Sequence, residues 1–275
     1  MSSRWSDLDR PPLDPRALSR AFAHDPLWRE IRVVDATGST NSDVAALARE
    51  NVPEGVVLVA EHQTAGRGRL DRRWVAPPRS GLSFSMLLRP DVALSRWSLL
   101  PLVVGVGVAR GVTRVCEVRV SLKWPNDLLV GDRKLGGILA ERVEPAGGDG
   151  PAAAVVGVGL NVTLREGELP VPTAISLSLA GASTTDRDTI VRAALREVGQ
   201  QYARWVAAEG AAATVLPAYR ELCATLGKIV RADLPTGDAV EGTAVDVRDD
   251  GALMIDTAAG RQPVSAGDVV HLRSG

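Results

Sequence analysis

The residues best equipped for chemistry in this chain are Gly66-Arg67-Gly68-Arg69, with Arg72, Arg73 and Trp74 close behind. Glycines let a backbone approach a ligand closely, and successive N–H groups in such a loop form a nest for an anion. Arginines add planar, bidentate contacts to phosphate or carboxylate. From Arg67 to Arg79 the cluster Arg67, Arg69, Arg72, Arg73 and Arg79 faces a single acid, Asp71, in a chain of formal net charge −1. A local basic cluster in a neutral protein points to a small anionic ligand rather than to a polyanion. As a ligand loop it would be mobile until its anion arrives. Taken alone it is equally compatible with a solvated basic turn, since Gly and Arg are ordinary loop residues.

Two further constellations follow. Lys123-Trp124-Pro125-Asn126-Asp127 precedes Lys134-Leu135-Gly136-Gly137-Ile138. Lys134 comes after a polar turn and before an apolar strand, where a fixed ammonium can face a pocket. Asn126 and Asp127 offer an amide and a carboxylate for Mg²⁺ or for basic neighbours. In Gly157-Val158-Gly159-Leu160-Asn161-Val162 a polar Asn161 interrupts an apolar strand end, with small residues clearing space beside it. Solvated turn charges for the lysines and a turn role for Asn161 are the plainer alternatives.

Other chemistries find no support. There is no Walker A loop, and neither Gly105-Val106-Gly107 nor Gly157-Val158-Gly159 completes a dinucleotide fingerprint. Zinc-protease and nucleophile-elbow patterns are missing. His24, His62 and His271 are scattered, and Cys116 and Cys223 belong to no metal spacing. Two isolated thiols suit a reducing compartment.

These residues need elements to position them, and the composition, 45% hydrophobic and 24% charged, is that of a globular chain. Residues 1–14 are polar and Pro-rich with no apolar signal core. The longest apolar run, residues 99–109, is broken by Pro101, Gly105 and Gly107 and reads as too short for a membrane span, so the chain reads as cytoplasmic. Periodicity predicts helices over 15–28, 43–50 (capped by Asn41 or Ser42), 97–115, 186–209 and 211–222. Strands are expected over 31–34, 56–60, 82–88, 118–123, 127–130, 138–143 and 153–159, with turns at Gly131-Asp132 and Gly147-Gly148-Asp149-Gly150 that suggest antiparallel hairpins. From about residue 227 the texture changes to short strands over 228–232, 241–247, 252–257 and 262–264, the pattern of a small β-barrel.

In order and spacing, five blocks resemble the biotin–protein ligase family. They are Gly38-Ser39-Thr40-Asn41, Glu61-x-Gln63-Thr64-Ala65-Gly66-Arg67-Gly68-Arg69-x-x-Arg72-x-Trp74, Lys123-Trp124-Pro125-Asn126-Asp127, Lys134-Leu135-Gly136-Gly137-Ile138-Leu139-x-Glu141 and Gly157-x-Gly159-x-Asn161. The resemblance is strong over residues 31–180 and looser through the β tail. It implies an α+β fold: a catalytic domain related to class II aminoacyl-tRNA synthetases, with a mixed sheet and helices on one side, plus a C-terminal SH3-like β-barrel. The corresponding division is an N-terminal extension over 1–30, a biotin- and ATP-binding catalytic domain over 31–225 and the barrel over 226–275. The implied activity is adenylation of biotin by ATP and Mg²⁺ to biotinyl-5'-AMP, then transfer to a lysine of a biotin carboxyl carrier domain. The resemblance places Ser39, Thr40, Asn41, Gln63, Gly68 and Gly137 around biotin. Arg67 and Arg69 would order the loop and hold the adenylate phosphate, Arg72 would meet the ATP phosphates, and Trp74 would pack the loop or cover adenine. Lys134 would bind the biotin carboxylate and then the acyl-phosphate oxygen, making Lys134 and Arg69 the catalytic pair. Asn126, Asp127 and Asn161 would support the triphosphate and its Mg²⁺.

Some family members carry an N-terminal winged helix-turn-helix and repress transcription. Here 38 residues precede Ser39, broken by prolines, so the expectation is a monofunctional ligase without nucleic-acid or membrane partners, monomeric or weakly dimeric. Leu70-Asp71 replaces more basic or glycine residues of some relatives and leaves the loop's dynamics open. A lipoate–protein ligase is the nearest rival, disfavoured by the compact Gly-Arg-Gly-Arg block. A non-catalytic biotin sensor is the rival from another class, disfavoured by the retained Arg69, Asp127 and Lys134.

Overall fold

A computed structural model describes residues 9–148 and 150–272. The first eight residues of the polar N-terminal stretch, Asp149 of the predicted glycine turn and the last three residues of the tail lie outside the described residues. In chain order the larger part contains α1 (Pro15–Ala21), β1 (Glu30–Val34), α2 (Thr40–Arg49), β2 (Val56–Ala60), β3 (Gly81–Leu88), α3 (Leu100–Cys116) and β4 (Ser121–Lys123). It continues with β5 (Asp127–Val130), β6 (Arg133–Val143), β7 (Ala153–Asn161), α4 (Arg187–Ala207) and α5 (Leu216–Leu222). The strands form one mixed sheet in the order β1-β2-β3-β7-β6-β5-β4, parallel between β1 and β2 and antiparallel elsewhere. Both predicted hairpins, β5–β6 and β6–β7, are present.

Strand alternation decides what covers each face. Leu82, Phe84, Met86 and Leu88 of β3 join Val156, Val158 and Leu160 of β7 in the main core, beneath α1, α3, α4 and α5. Among the described residues the helix on the opposite face is α2, whose Val44, Ala45 and Ala48 pack on Val56, Leu58, Leu87, Val143 and Val155. The helices are therefore not all on one side as expected, and the exception matters: α2 covers half of its face, and the site occupies the other half.

Helix α3 is preceded by a 3₁₀ turn, Leu94–Leu99, and its glycines serve contact rather than disruption. A Cβ on Gly107 would lie 2.6 Å from the Val198 backbone of α4, so glycine permits the close approach of the two helices. The continuous segment Leu94–Cys116 is 23 residues long and, by length and composition alone, enough to cross a membrane, contrary to the shorter run expected. Its burial, 72% within this fold, marks it as the core helix. Helix α1 stops at Ala21, short of residue 28, and the Asp25 carboxylate then accepts from the N–H groups of Leu27 and Trp28. Leu13, Leu18, Phe22 and Trp28 of this segment sit in the main core.

The tail forms an antiparallel five-stranded sheet of β8 (Ile229–Asp233), β9 (Ala239–Val247), β10 (Leu253–Thr257), β11 (Gly260–Val264) and β12 (Asp268–His271). Their order is β11-β10-β9-β8-β12, as expected of a small barrel. It is tied to the larger part by Trp124 Nε1 donating to the Gly251 carbonyl (2.9 Å) and Ser98 Oγ donating to the Asp250 carbonyl (2.8 Å). These ties hold β12 beside the sheet's polar face.

Candidate active site

Helix α2 begins at Thr40, three residues earlier than predicted. Ser39 occupies the N-cap position, but no side-chain capping bond comes from it. Instead the Gln63 Oε1, from the segment after β2, accepts from Thr40 N (2.8 Å) and Thr40 Oγ1 (3.0 Å). One of the unsatisfied donors that every helix start carries is thus met from a distant stretch of chain. The Ser39 hydroxyl is left available to a ligand, and Thr40 and Asn41 are buried in the first turn against the sheet.

Below them the sheet is pared down. In register across the polar face run Ser85, Gly157 and Leu139, then Ser83, Gly159, Gly137 and Asp127. Ser85 Oγ lies 2.7 Å from Thr40 Oγ1 and 2.6 Å from Asn41 Oδ1. The Asn41 amide donates to Glu141 Oε2 (2.7 Å) and the Leu139 carbonyl (3.2 Å). A Cβ on Gly157 would lie 2.0 Å from Asn41 Oδ1, and one on Gly159 2.5 Å from Trp74 Cε2. Bare backbone is what lets Asn41 and Trp74 lie flat on the strands.

The arginine loop is a hairpin rather than a coil. Gly68 N donates to the Arg72 carbonyl (2.6 Å), Trp74 N to the Gly66 carbonyl (2.9 Å) and Arg72 N to the Arg69 carbonyl (3.2 Å). Leu70 and Asp71 both take left-handed backbone, φ 53° and 56°, as the two central residues of a type I′ turn require. Two ion pairs hold its flanks: Arg67 with Glu141 of β6, and Arg72 with Asp268 of β12. Between them Arg69 reaches inward to Asn126 Oδ1 (3.3 Å). Burial pushes its pKa below the ordinary arginine value, with Arg72 adding to that and Asp268 and Asp127 opposing it. The guanidinium stays charged, so a half-buried cation is aimed into the cavity. On the far side Lys134 Nζ sits 2.6 Å from Asp127 Oδ1, and Asn126 Nδ2 is fixed on the Ile138 carbonyl (2.7 Å).

These groups line one cavity of about 140 Å³. Ser39, Thr40, Asn41 and Gln63 supply its uncharged polar groups, with Arg67 beside Asn41 through their shared partner Glu141; Arg69, Arg72, Lys134 and Asp127 supply the charged groups across the glycine strands. Trp74, Asn126 and Gly137 lie between, leaving Asn161 as the one predicted site residue outside the lining. It is buried at the end of β7, donating to the Ile175 carbonyl (3.1 Å). Its Oδ1 has no partner among the described residues, and neither has the buried Trp74 Nε1 two positions across on Gly159.

Sequence reasoning missed three participants. Ser85 was detectable, because alternation puts it on the face opposite Phe84. Glu141 lay inside a quoted block without a role. Asp268 carried no signal, since only the folded barrel brings it to the hairpin. Among the described residues no group of three His, Cys, Asp or Glu could hold a metal. Asp127 supplies a carboxylate at the charged end, which suits Mg²⁺ carried in mainly by substrate phosphates and water.

Residues 33–161 match the biotin/lipoate A/B protein ligase family, and residues 225–272 match the biotin protein ligase C-terminal domain. The chain is 42% identical to a biotin--[acetyl-CoA-carboxylase] ligase of Mycobacterium tuberculosis over 273 residues, 97% of this chain and 98% of the relative. The chain belongs to the biotin protein ligase family. It is an enzyme of the ligase class, with the α+β catalytic domain and C-terminal β domain of that family. A bifunctional ligase/repressor BirA of Bacillus subtilis is 30% identical over 86% of this chain and 72% of its own length. The solved structure of a biotin protein ligase from Aquifex aeolicus in complex with biotin and ATP superposes with a TM-score of 0.73 at 28% identity, covering 90% of this chain and all of that one.

Proposed function

We propose that the enzyme runs both half-reactions of biotin–protein ligation in the cavity under the arginine hairpin. The observation that carries this is the cavity's polarity: a neutral hydrogen-bonding end joined to a cationic end across a glycine floor. A ureido ring calls for a short set of fixed donors and acceptors. The Ser39 and Thr40 hydroxyls and the Gln63 amide are such a set, with Gln63 Oε1 committed to Thr40 and its Nε2 left to donate. Asn41 acts behind them, since its amide hydrogens are already consumed by Glu141 and Leu139.

At the cationic end the biotin carboxylate meets Lys134, and a carboxylate oxygen attacks the α-phosphorus of ATP while the bond to pyrophosphate breaks. Arg67 and Arg69 neutralise the charge that develops at phosphorus, and Arg72 holds the leaving phosphates. Catalysis is alignment and charge neutralisation, with no enzyme nucleophile. Mg²⁺ arriving with the triphosphate would supply further neutralisation near Asp127. Trp74, which lines the cavity and lies flat on Gly159, is the ring we assign to cover the adenine, whereas Asn161 is buried outside the lining.

In the second half-reaction a lysine amine of the carrier attacks the acyl carbon of the mixed anhydride, and AMP leaves. The hairpin keeps water from the anhydride in the interval. The acceptor we propose is a biotin carboxyl carrier domain; the name of the M. tuberculosis relative gives acetyl-CoA carboxylase as the protein it acts on. The free, buried Cys116 and Cys223 fit a cytoplasmic location.

Exchange of labelled pyrophosphate into ATP tests this directly, with biotin, lipoate or no acid added. Exchange with biotin alone is expected. Exchange with lipoate alone would move the enzyme to the other branch of the matched family, and none with either acid in folded, Mg²⁺-supplied protein would overturn the assignment.

A further inference from the structure

We propose that Asp268, on β12 of the C-terminal domain, is a positioning residue for ATP: it holds the Arg72 guanidinium at the cavity mouth, oriented for the triphosphate. This rests on the adenylation reading above and deepens it. Arg72 meets Asp268 through both terminal nitrogens, with Nη1 to Oδ1 at 3.3 Å and Nη2 to Oδ2 closer. A guanidinium has five N–H donors. A bidentate pair uses two, so the other three remain for phosphate oxygens, in a plane the carboxylate has already fixed.

The placement argues against a chance surface pair. Asp268 and Gly267 line the catalytic cavity although they belong to the other domain, and Asp268 is two-thirds shielded, with a side-chain exposure of 33%. Its main chain is held by pairing with Asp233 of β8, and Trp124 clamps the barrel to the sheet through Gly251. Burial alone would push its carboxyl pKa up. The hydrogen bond and charge of Arg72, with Lys123 and Lys134, outweigh that and hold it below the usual range. The carboxylate is thus ionised at neutral pH, as its pairing with Arg72 requires. Without it, Arg72 is a long side chain on a hairpin that would sample many rotamers, and ATP binding would have to order it.

The sign of the effect separates positioning from mere proximity. A carboxylate beside a triphosphate repels it, so a bystander Asp268 predicts tighter ATP binding on neutralisation. Positioning predicts weaker binding. The experiment is biotin-dependent pyrophosphate exchange by the full chain, measuring KM for MgATP, KM for biotin and kcat. It compares wild type with Asp268→Asn, Asp268→Glu, Arg72→Ala and the Asp268→Asn/Arg72→Ala double variant.

Asp268→Asn is expected to raise KM for ATP about tenfold, about 1.4 kcal/mol, with KM for biotin and kcat within about twofold. Asp268→Glu should recover part of the loss, and the double variant should be no worse than Arg72→Ala alone. An unchanged or lowered ATP KM in Asp268→Asn, or fully additive losses in the double variant, would overturn the proposal. Failure of wild type to exchange at all would instead overturn the adenylation reading, so the two outcomes are distinct. If Asp268→Asn melts well below wild type, the Asp268→Glu comparison still decides: a partial recovery of ATP KM supports positioning, and none opposes it.

Discussion

Charge and bareness divide the work among individual residues. Arg67 and Arg72 are paired with carboxylates, whereas Arg69 has only an amide partner and is half-buried. A half-buried cation whose hydrogen-bond partner is a neutral amide, with carboxylates acting on it only through their charge, gains most from an arriving phosphate, so Arg69 should contribute chiefly to holding the adenylate. Arg69→Gly is expected to release biotinyl-adenylate into solution at least tenfold faster while slowing its formation less. Rapid filtration of labelled intermediate measures both, and tight retention by the variant would count against the role. Gly159 is the complementary case. In Gly159→Ala the new Cβ would fall 2.5 Å from Trp74 Cε2 and 2.8 Å from Nε1, so the indole must lift off the strand. Such overpacking costs about 1–3 kcal/mol, and it falls on the ring that we propose covers the adenine. A KM for ATP raised about tenfold or more is expected, together with changed tryptophan emission. An unaltered ATP KM would mean that Trp74 does not cover the nucleotide.

In the proposed reaction both half-reactions depend on the arginine hairpin, and its turn includes a residue unsuited to it, Leu70. Leu70 and Asp71 occupy the two left-handed positions where Asn-Gly is favoured, and left-handed backbone costs an ordinary residue about 1–2 kcal/mol. Leu70 is also 58% exposed, so its side chain repays little by packing. Leu70→Asn combined with Asp71→Gly should therefore stabilise the hairpin without ligand. Hydrogen exchange at Gly68 and Arg72, whose N–H groups close the turn, is expected to slow severalfold. Equal exchange in variant and wild type would show that the turn is not the weak point. The sequence disclosed this loop's chemistry, because glycines and arginines are contiguous there, but not its closed hairpin geometry, which depends on Glu141 and Asp268. The start of α2 was misplaced for a related reason. Asn41 and Ser42 are good capping residues, yet the group meeting Thr40 N is Gln63, twenty-three positions away. Local propensity has no access to such a partner. Apolar runs and alternation, in contrast, located all seven strands of the central sheet, although β4 begins at Ser121 rather than 118 and β6 at Arg133 rather than 138.

At the scale of the whole molecule, the C-terminal domain is where pH should act on stability. His271 of β12 is half-buried; burial lowers its pKa first, Lys123 and Lys228 add to this, and Asp132 opposes. Its Nε2 lies 3.1 Å from Thr225 Oγ1, which already accepts from Trp124 N (3.0 Å). The Thr225 hydroxyl hydrogen is then free to donate to Nε2, an arrangement that needs the neutral ring with its proton on Nδ1. The sign follows from linkage: the unfolded chain takes up this proton near the ordinary histidine pKa of about 6.5, the folded chain only at lower pH. The stabilisation is present above that pH and is lost as pH falls through the lowered folded value. Asp268, also held below its usual range, acts in a separate window, since its contribution is lost only below about pH 4. Between pH 7.5 and 5 the histidine term can therefore be read apart from that carboxylate. Each kcal/mol lost lowers Tm by about 2–4 °C in a chain of this size, within reach of thermal melts. Wild type should lose stability progressively over this range, and His271→Gln, whose amide oxygen can accept from Thr225 without titrating, should flatten the slope. An identical slope in the variant would place the acid sensitivity elsewhere and remove His271 from the domain's attachment.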